Sequence, residues 1–491
     1  MRHGTPNFYA GGLRIIVRIM SDRKSLLSFK FSPNRVDTVY NIRKDPKSVL
    51  GKGNFGVVVK AEDKITGQVR AIKIINKTKL LEHDSDMELL ANEFNIMMTV
   101  DHPNIVRLYE VYEDQKYIYF VMECLRGPTL LQILSSDNYH LTEQEIRYIF
   151  FQLTKGIQYL HKNGIAHRDL KPENVVFLGP KCWDLKIIDF GVSKYFISNE
   201  DTKRQITLRT QTGSLYYISP EIIEGVYDYR CDIWSAGVIL YSLFTCIPPF
   251  WDMNPDNVIK KIRKIEFDFK HDVWKQVSPS AVDLIRRLLV SKDSRLTTDG
   301  ILAHPWMKEE LSDKRQTNAP IGIKKFFFSK ALSRLIMQII TACSSETDNQ
   351  SLGELFVRID HDGDGVISRD ALIEGIQYYC KIYDKELTNL IMTRFSANEK
   401  IFYKNFLAAV NAMQGYSDFE KRVEKAFSLI DVSGKGRVRA EDFEVAFRRF
   451  NLGLPAEFKS WADMVSEVDT AKKGYLELSD FKAMMQSYGE Q

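Results

Sequence analysis

No apolar stretch in the sequence approaches the roughly 20 uncharged residues that a membrane span requires. The best run, Leu13 to Met20, is short and is broken by Arg14 and Arg18. Cysteine is scarce too: six in 491 residues, scattered from Cys124 to Cys380 with neither pairing nor metal-ligand spacing. That argues against a disulfide scaffold or a cysteine metal site and fits a reducing compartment, so a cytoplasmic location is expected. A strong excess of one charge is also missing, since 68 Lys and Arg stand against 64 Asp and Glu. No nucleic-acid partner is expected. The charge is uneven along the chain, however. Residues 1–44 hold nine Lys and Arg against two acids, whereas Glu346 to the end holds 25 acids against 19 bases. A basic head and a mildly acidic tail suggest different partners for the two ends. An apolar fraction of 44% excludes a disordered or fibrous chain, and the length predicts two or three domains.

Residues 1–41 show no clear period and read as a basic extension, better taken as a disordered head than as a membrane contact. From Val49 the pattern is β-branched (Val57-Val58-Val59, then Ala71-Ile72-Lys73-Ile74-Ile75), which predicts paired strands around a glycine turn. Helical periodicity follows from Thr142 to Trp306, then a polar linker, then a helix from about Lys324 to Ala342. Beyond it, helix, short loop and helix alternate four times, an internal repeat of roughly 35–40 residues. The predicted domains are 42–307, a junction over 308–345, and a repeat region over 346–491.

Gly51-Lys52-Gly53-Asn54-Phe55-Gly56, between Leu50 and Val57-Val58, lets main-chain amides approach phosphates with no Cβ in the way. A strand follows it rather than the helix of a dinucleotide-binding fold. Lys73, deep in an apolar strand, needs anions nearby, and Glu93 on the next helical stretch is the chosen partner. His167-Arg168-Asp169-Leu170-Lys171-Pro172-Glu173-Asn174 is more specific. There Asp169 would accept a substrate hydroxyl's proton, Lys171 would steady a transferring phosphoryl group, and Asn174 would hold a metal ion. Asp189-Phe190-Gly191 puts a second carboxylate where Mg²⁺ must bridge ATP phosphates. Ser219-Pro220-Glu221, Asp232-Ile233-Trp234 and Arg295 follow in order, with Arg295 placed to pair with Glu221.

Residues 44–307 thus resemble the eukaryotic protein kinases, and Lys171 with Gly213-Ser214 resembles their Ser/Thr branch. The resemblance implies ATP and Mg²⁺ as cofactors and a hinge, Met122-Glu123-Cys124-Leu125, whose Glu123 and Leu125 contact the nucleotide. It also makes Thr129 a departure, since relatives usually carry a glutamate there.

Asp360, Asp362, Asp364, Gly365 and Ser368 fit an EF-hand calcium loop, but its closing position is Ala371 rather than glutamate. A second loop, 394–405, lacks nearly all carboxylates. The third, Asp431 to Asp442, has Lys435 at a ligand position, and the fourth, Asp469 to Asp480, has Ala471 and Lys473. A kinase domain, a junction helix and four such repeats resemble the calcium-dependent protein kinases of plants and protists. The expected fold is an α+β bilobal kinase domain followed by an all-α calmodulin-like domain of four EF-hands. The resemblance implies that the junction helix is autoinhibitory, occupying the kinase until the EF-hand region binds calcium and pulls it away. A stripe of Phe328, Leu332, Leu335, Ile336 and Ile339 suits that grip. The depleted ligands predict calcium dependence that is weak or absent, with Ca²⁺ at one loop at most. Phosphorylation of Thr207, Thr210 or Thr212 in the activation segment is a further expectation. The main reading is an enzyme with protein substrates. The alternative is an EF-hand scaffold whose kinase activity is secondary.

Overall fold

The computed structural model describes residues 35–43, 45–53, 56–80, 84–136, 139–180, 182–196, 202–203, 214–308, 331–342, 350–379, 400–411, 416–449, 452–455 and 457–490. Asn54, Phe55, Thr207, Thr210, Thr212, Phe328 and residues 1–34 of the predicted head lie outside these residues. The end of that head is built into the fold instead, because Val36, Val39 and Tyr40 bury their apolar side chains with Ile72 and Val121 of the sheet.

Six antiparallel strands open the fold: β1 (Tyr40–Ile42), β2 (Val49–Gly53), β3 (Gly56–Asp63), β4 (Val69–Asn76), β5 (Leu108–Glu113) and β6 (Tyr117–Glu123). Their order is β1-β3-β4-β6-β5, with β2 also paired to β3 as the returning arm of the glycine turn. β4 buries Arg70, Ala71 and Ile72 in succession, and Ile75 beyond them; since successive side chains point to opposite faces, the strand is covered on both. The helix α1 (Asp84–Thr99) lies against this sheet and buries Ile96 and Met97 with Phe120 and Ile118.

A helical lobe follows. Its longest helix, α2 (Glu143–Lys162), begins at Thr142, whose hydroxyl accepts from Glu145 N while the Glu145 side chain accepts from Thr142 N. That reciprocal cap satisfies two otherwise orphaned amides. The short pair β7 (Val175–Phe177) and β8 (Leu185–Ile187) lies beside it, and α3 (Arg230–Thr245) and α4 (Pro279–Leu288) complete the lobe. α3 is apolar nearly all round and is buried along almost its whole length, as expected of a central helix. Trp234 stacks on Phe250 within this core, with ring centroids 5.2 Å apart.

The tail builds a separate core. The junction helix α5 (Ala331–Ala342) is followed by α6 (Gln350–Ile359), β9 (Val366–Ser368), α7 (Arg369–Tyr379), β10 (Lys400–Phe402) and α8 (Tyr403–Asn411). Then come α9 (Tyr416–Ile430), α10 (Ala440–Arg449), α11 (Trp461–Ser466) and α12 (Leu478–Glu490). β9 and β10 pair antiparallel, and Val438 bridges Leu476, so the loops are joined two by two. Leu332, Leu335, Ile336 and Ile339 belong to the tail core, as the junction-helix reading requires. The burial is wider than one stripe: Ala331, Met337 and Ile340 are also covered, because tail helices envelop α5. No helix among the described residues is long and apolar enough to cross a membrane.

Candidate active site

β4 delivers Lys73 and α1 delivers Glu93; their Nζ and Oε1 are 2.5 Å apart, with Asp189 Oδ1 at 3.7 Å. Burial alone would pull the Lys73 ammonium down, but the Glu93 and Asp189 carboxylates outweigh it and hold it above its ordinary value. Burial likewise works against the charge on Asp189, yet Lys73 and His167 keep its carboxyl below the usual range. Lysine is therefore a fixed cation and Asp189 a fixed anion at neutral pH.

The catalytic loop arranges the next group. Lys171 Nζ lies 2.7 Å from Asp169 Oδ2, and Asn174 Nδ2 donates to the Asp169 carbonyl at 2.8 Å and to Oδ2 at 3.1 Å. Orienting Asn174 in this way leaves its amide oxygen, with the half-exposed Asp189 carboxylate, as a hard-oxygen donor set suited to Mg²⁺. Arg168 and Asp189 adopt φ of 71° and 64°, a left-handed backbone that non-glycine residues hold only when their surroundings enforce it. Asp232 at the start of α3 does much of the enforcing. Its carboxylate accepts from His167 N at 2.9 Å and Arg168 N at 2.7 Å, and it faces His161 Nε2 at 2.9 Å.

In the tail, Asp360, Asp362 and Asp364 gather oxygens within 4.8 Å of one another, an arrangement that can hold a divalent cation. Asp360 accepts from Gly363 N and Gly365 N, both at 3.0 Å, which shapes the loop. Burial pushes the Asp360 carboxyl up to about 7.

The protein kinase domain family matches residues 45–307, and an EF-hand domain pair matches residues 420–486. Calcium-dependent protein kinase 5 of Plasmodium falciparum is 34% identical over 450 residues, covering 89% of this chain and 76% of that protein. The chain belongs to the calcium-dependent protein kinases. Calcium-dependent protein kinase 4 of Plasmodium berghei is 31% identical over 474 residues, covering 91% of this chain and 87% of its own length. A solved structure, the autoregulated twitchin kinase fragment of C. elegans, superposes with a TM-score of 0.50 at 29% identity. The match covers 56% of this chain and 59% of that fragment. As a member of this family, the protein is a protein serine/threonine kinase with an EF-hand region.

In this calcium-dependent protein kinase, the predicted site residues divide into three groups. Lys73, Glu93, Asp169, Lys171, Asn174 and Asp189 form the contacts above. Leu50 to Gly53 and Gly56 to Val58 form the paired arms of the glycine turn, and Leu50 is 43% exposed. Glu123 turns its side chain to the back of the hinge, 2.9 Å from Lys186 and 2% exposed. Only its main chain, with that of Leu125, is left for a nucleotide. The Ser368 hydroxyl accepts from Ala371 N at 3.2 Å, so it caps α7 rather than facing the three carboxylates. Thr129 caps the short helix Leu130–Leu134 with Gln132, which occupies its hydroxyl oxygen.

Two contributions were not foreseen as part of the site. The part Asp232 plays in holding the catalytic loop had only its place in the Asp-Ile-Trp motif as a signal. The second contribution is the docking of the Asp360 loop on α2. There Lys155 Nζ donates to the Asp360 carbonyl at 2.9 Å and Asn163 Nδ2 to the Asp364 carbonyl at 3.3 Å. No local pattern announces that contact.

Proposed function

We propose that this chain transfers the ATP γ-phosphoryl group to Ser or Thr hydroxyls of proteins under the control of its own EF-hand tail, with calcium dependence that is weak or absent. The observation that carries the catalytic part is the Lys73–Glu93 contact at 2.5 Å with Asp189 at 3.7 Å. It sets one ammonium between two carboxylates at the mouth of the glycine turn, the polarity needed to receive phosphates. Lys73, fixed by Glu93, anchors the phosphates, while the Leu50–Val58 turn covers them and the Glu123–Leu125 main chain meets the adenine. Asn174 and Asp189 would hold Mg²⁺, which would supply charge neutralisation on the phosphates. Asp169 accepts the substrate proton, and Lys171 beside it steadies the transferring group. In substrate recognition, Glu173 is retained but Thr129 stands where relatives usually carry a glutamate, so the preference for a basic residue upstream of the acceptor is weakened.

The regulatory part rests on the loops. The first retains three gathered carboxylates but closes on Ala371, and Lys435 and Lys473 stand at ligand positions of the third and fourth. A lysine at such a position removes an oxygen and repels the ion. The kinase domain spans 42–307, the junction 308–345 and the tail 346–491, and the chain works in the cytoplasm.

Phosphorylation of a basic peptide by the full-length chain, in chelator and across a calcium titration, tests both parts. Activity that is lost in Asp169→Asn, by about 10²-fold or more in kcat, and that changes little with calcium is expected. Steep submicromolar activation would overturn the calcium part alone, and an inactive wild-type chain would overturn the catalytic part.

A further inference from the structure

The fourth loop, between α11 and α12, is closed by contacts within the chain. Asp469, 7% exposed, accepts from Lys473 N at 3.0 Å and Gly474 N at 2.6 Å, which bends the first half of the loop. Leu476 then joins the third loop through two main-chain hydrogen bonds with Val438, of 2.9 and 2.8 Å. Asp480 accepts from Glu477 N at 2.8 Å and so caps the first turn of α12.

The two halves of the loop still need a connection. In a calcium-loaded loop a divalent ion makes it, drawing the fifth-position ligand and the twelfth-position carboxylate to one centre. Here the fifth position is Lys473. Its Nζ reaches across to Asp480 Oδ2 at 2.8 Å and Glu477 Oε2 at 3.4 Å, with the Tyr475 ring centroid 5.4 Å away. Ala471, at the third position, offers no oxygen. The first loop is different in kind: its fifth position is Asp364, and its three carboxylates converge with no ammonium of their own segment among them.

We propose that the Lys473 ammonium is the resident cation of the fourth loop, making the link between loop and α12 that a divalent ion makes elsewhere. The consequence reaches the junction helix. α12 contributes Phe481, Met484 and Met485 to the same core that holds Leu335, Ile336 and Ile339 of α5. A cation covalently part of the chain cannot be removed by a fall in calcium. The C-terminal half of the tail therefore keeps its hold on α5 at every calcium level, and any calcium response passes through the Asp360 loop. This inference deepens the tail-control reading above, and its test reads amide exchange rather than phosphoryl transfer. Its failure would leave the kinase reading standing.

The experiment is hydrogen exchange on the full-length chain, wild type, Lys473→Met and Lys482→Met, each in chelator and in about millimolar calcium. Methionine keeps the apolar stem and removes the ammonium. Lys482, on the same helix, pairs among the described residues with Glu424, at 2.6 Å and outside the loop. In wild type, residues 469–485 should exchange at the same rate with and without calcium. Lys473→Met should speed that exchange several-fold in both conditions, and Lys482→Met should leave it at the wild-type rate. Calcium-dependent slowing of residues 469–480 in wild type would overturn the proposal. So would a Lys473→Met chain whose exchange there matches wild type.

Discussion

Asp232 is 1% exposed, yet it carries a charge and spends it on the main chain of the catalytic loop. Burial opposes that charge, but the hydrogen bond from His161, then His161 and His167 themselves and the Arg168 amide, hold the carboxyl below its ordinary value. A folded-state value below the unfolded one means that the group stabilises the fold above about pH 4 and that this stability is lost as pH falls through the folded value. Asp232→Asn should cost about 2–4 kcal/mol at pH 7 and should flatten the acid side of the stability curve. Urea unfolding followed by tryptophan fluorescence between neutral and acid pH measures both. Five of the six tryptophans lie before residue 307, so the signal reports mainly on the kinase domain. An Asp232→Asn chain with the wild-type acid slope would show that the charge is not what holds the loop. Arg295 makes the same point for a cation. Its side chain is fully buried, with Nη1 2.5 Å from Glu221 Oε1 and 2.7 Å from the Arg230 carbonyl. Arg295→Met leaves a buried carboxylate unpaired and should cost about 3–5 kcal/mol. Arg287→Met, in an exposed pair with Asp283, should cost about 0.5 kcal/mol or less by the same measurement.

Among the elements, α5 is the one whose surroundings the sequence described least fully. A run of apolar residues at helical spacing predicts one buried face, and Leu332, Leu335, Ile336 and Ile339 do occupy one. What pattern alone cannot tell is how many partners come to that helix, because the partners are helices far along the chain whose own apolar faces look alike. Ile336→Ala should therefore behave as a core truncation, costing about 2–5 kcal/mol. Arg334→Ala, which breaks an exposed contact with Glu457, should change little. Exchange protection across residues 331–342 separates the two. The catalytic groups were legible for the opposite reason: phosphoryl transfer demands particular side chains at short, fixed separations, so Asp169, Lys171 and Asn174 announce themselves together. Thr129 sits between these cases. It read as a missing glutamate, and its structural task, capping the helix at Leu130 with Gln132, lies in the following three residues.

At the scale of the molecule, the tail meets both lobes of the kinase domain. Lys425 donates to the Thr66 carbonyl beyond β3, Lys404 N donates to Asp101 at 3.0 Å, and the Asp360 loop lies on α2. Such contacts join residues 200–360 positions apart, which is why no local pattern predicted them. Two glycines isolate what docking requires. Gly363 and Gly434 hold the same place in the first and third loops, with φ of 70° and 65°. Replacing either by alanine incurs the left-handed strain, about 1 kcal/mol. A Cβ at Gly434 meets nothing within 4 Å, whereas a Cβ at Gly363 runs into the Gln158 side chain on α2. Gln158 cannot easily withdraw, because it donates to Asp299 at 2.6 Å and accepts from Lys155 at 3.1 Å. Gly434→Ala should thus lower the melting temperature of the full chain by a few degrees at most and leave the kinase domain's exchange unchanged. Gly363→Ala should add faster exchange over residues 155–163 and a larger radius of gyration in solution scattering, as the tail lifts from the lobe. If the two variants match in all three measurements, the loop is not what seats the tail, and the contacts of Lys404 and Lys425 must carry it.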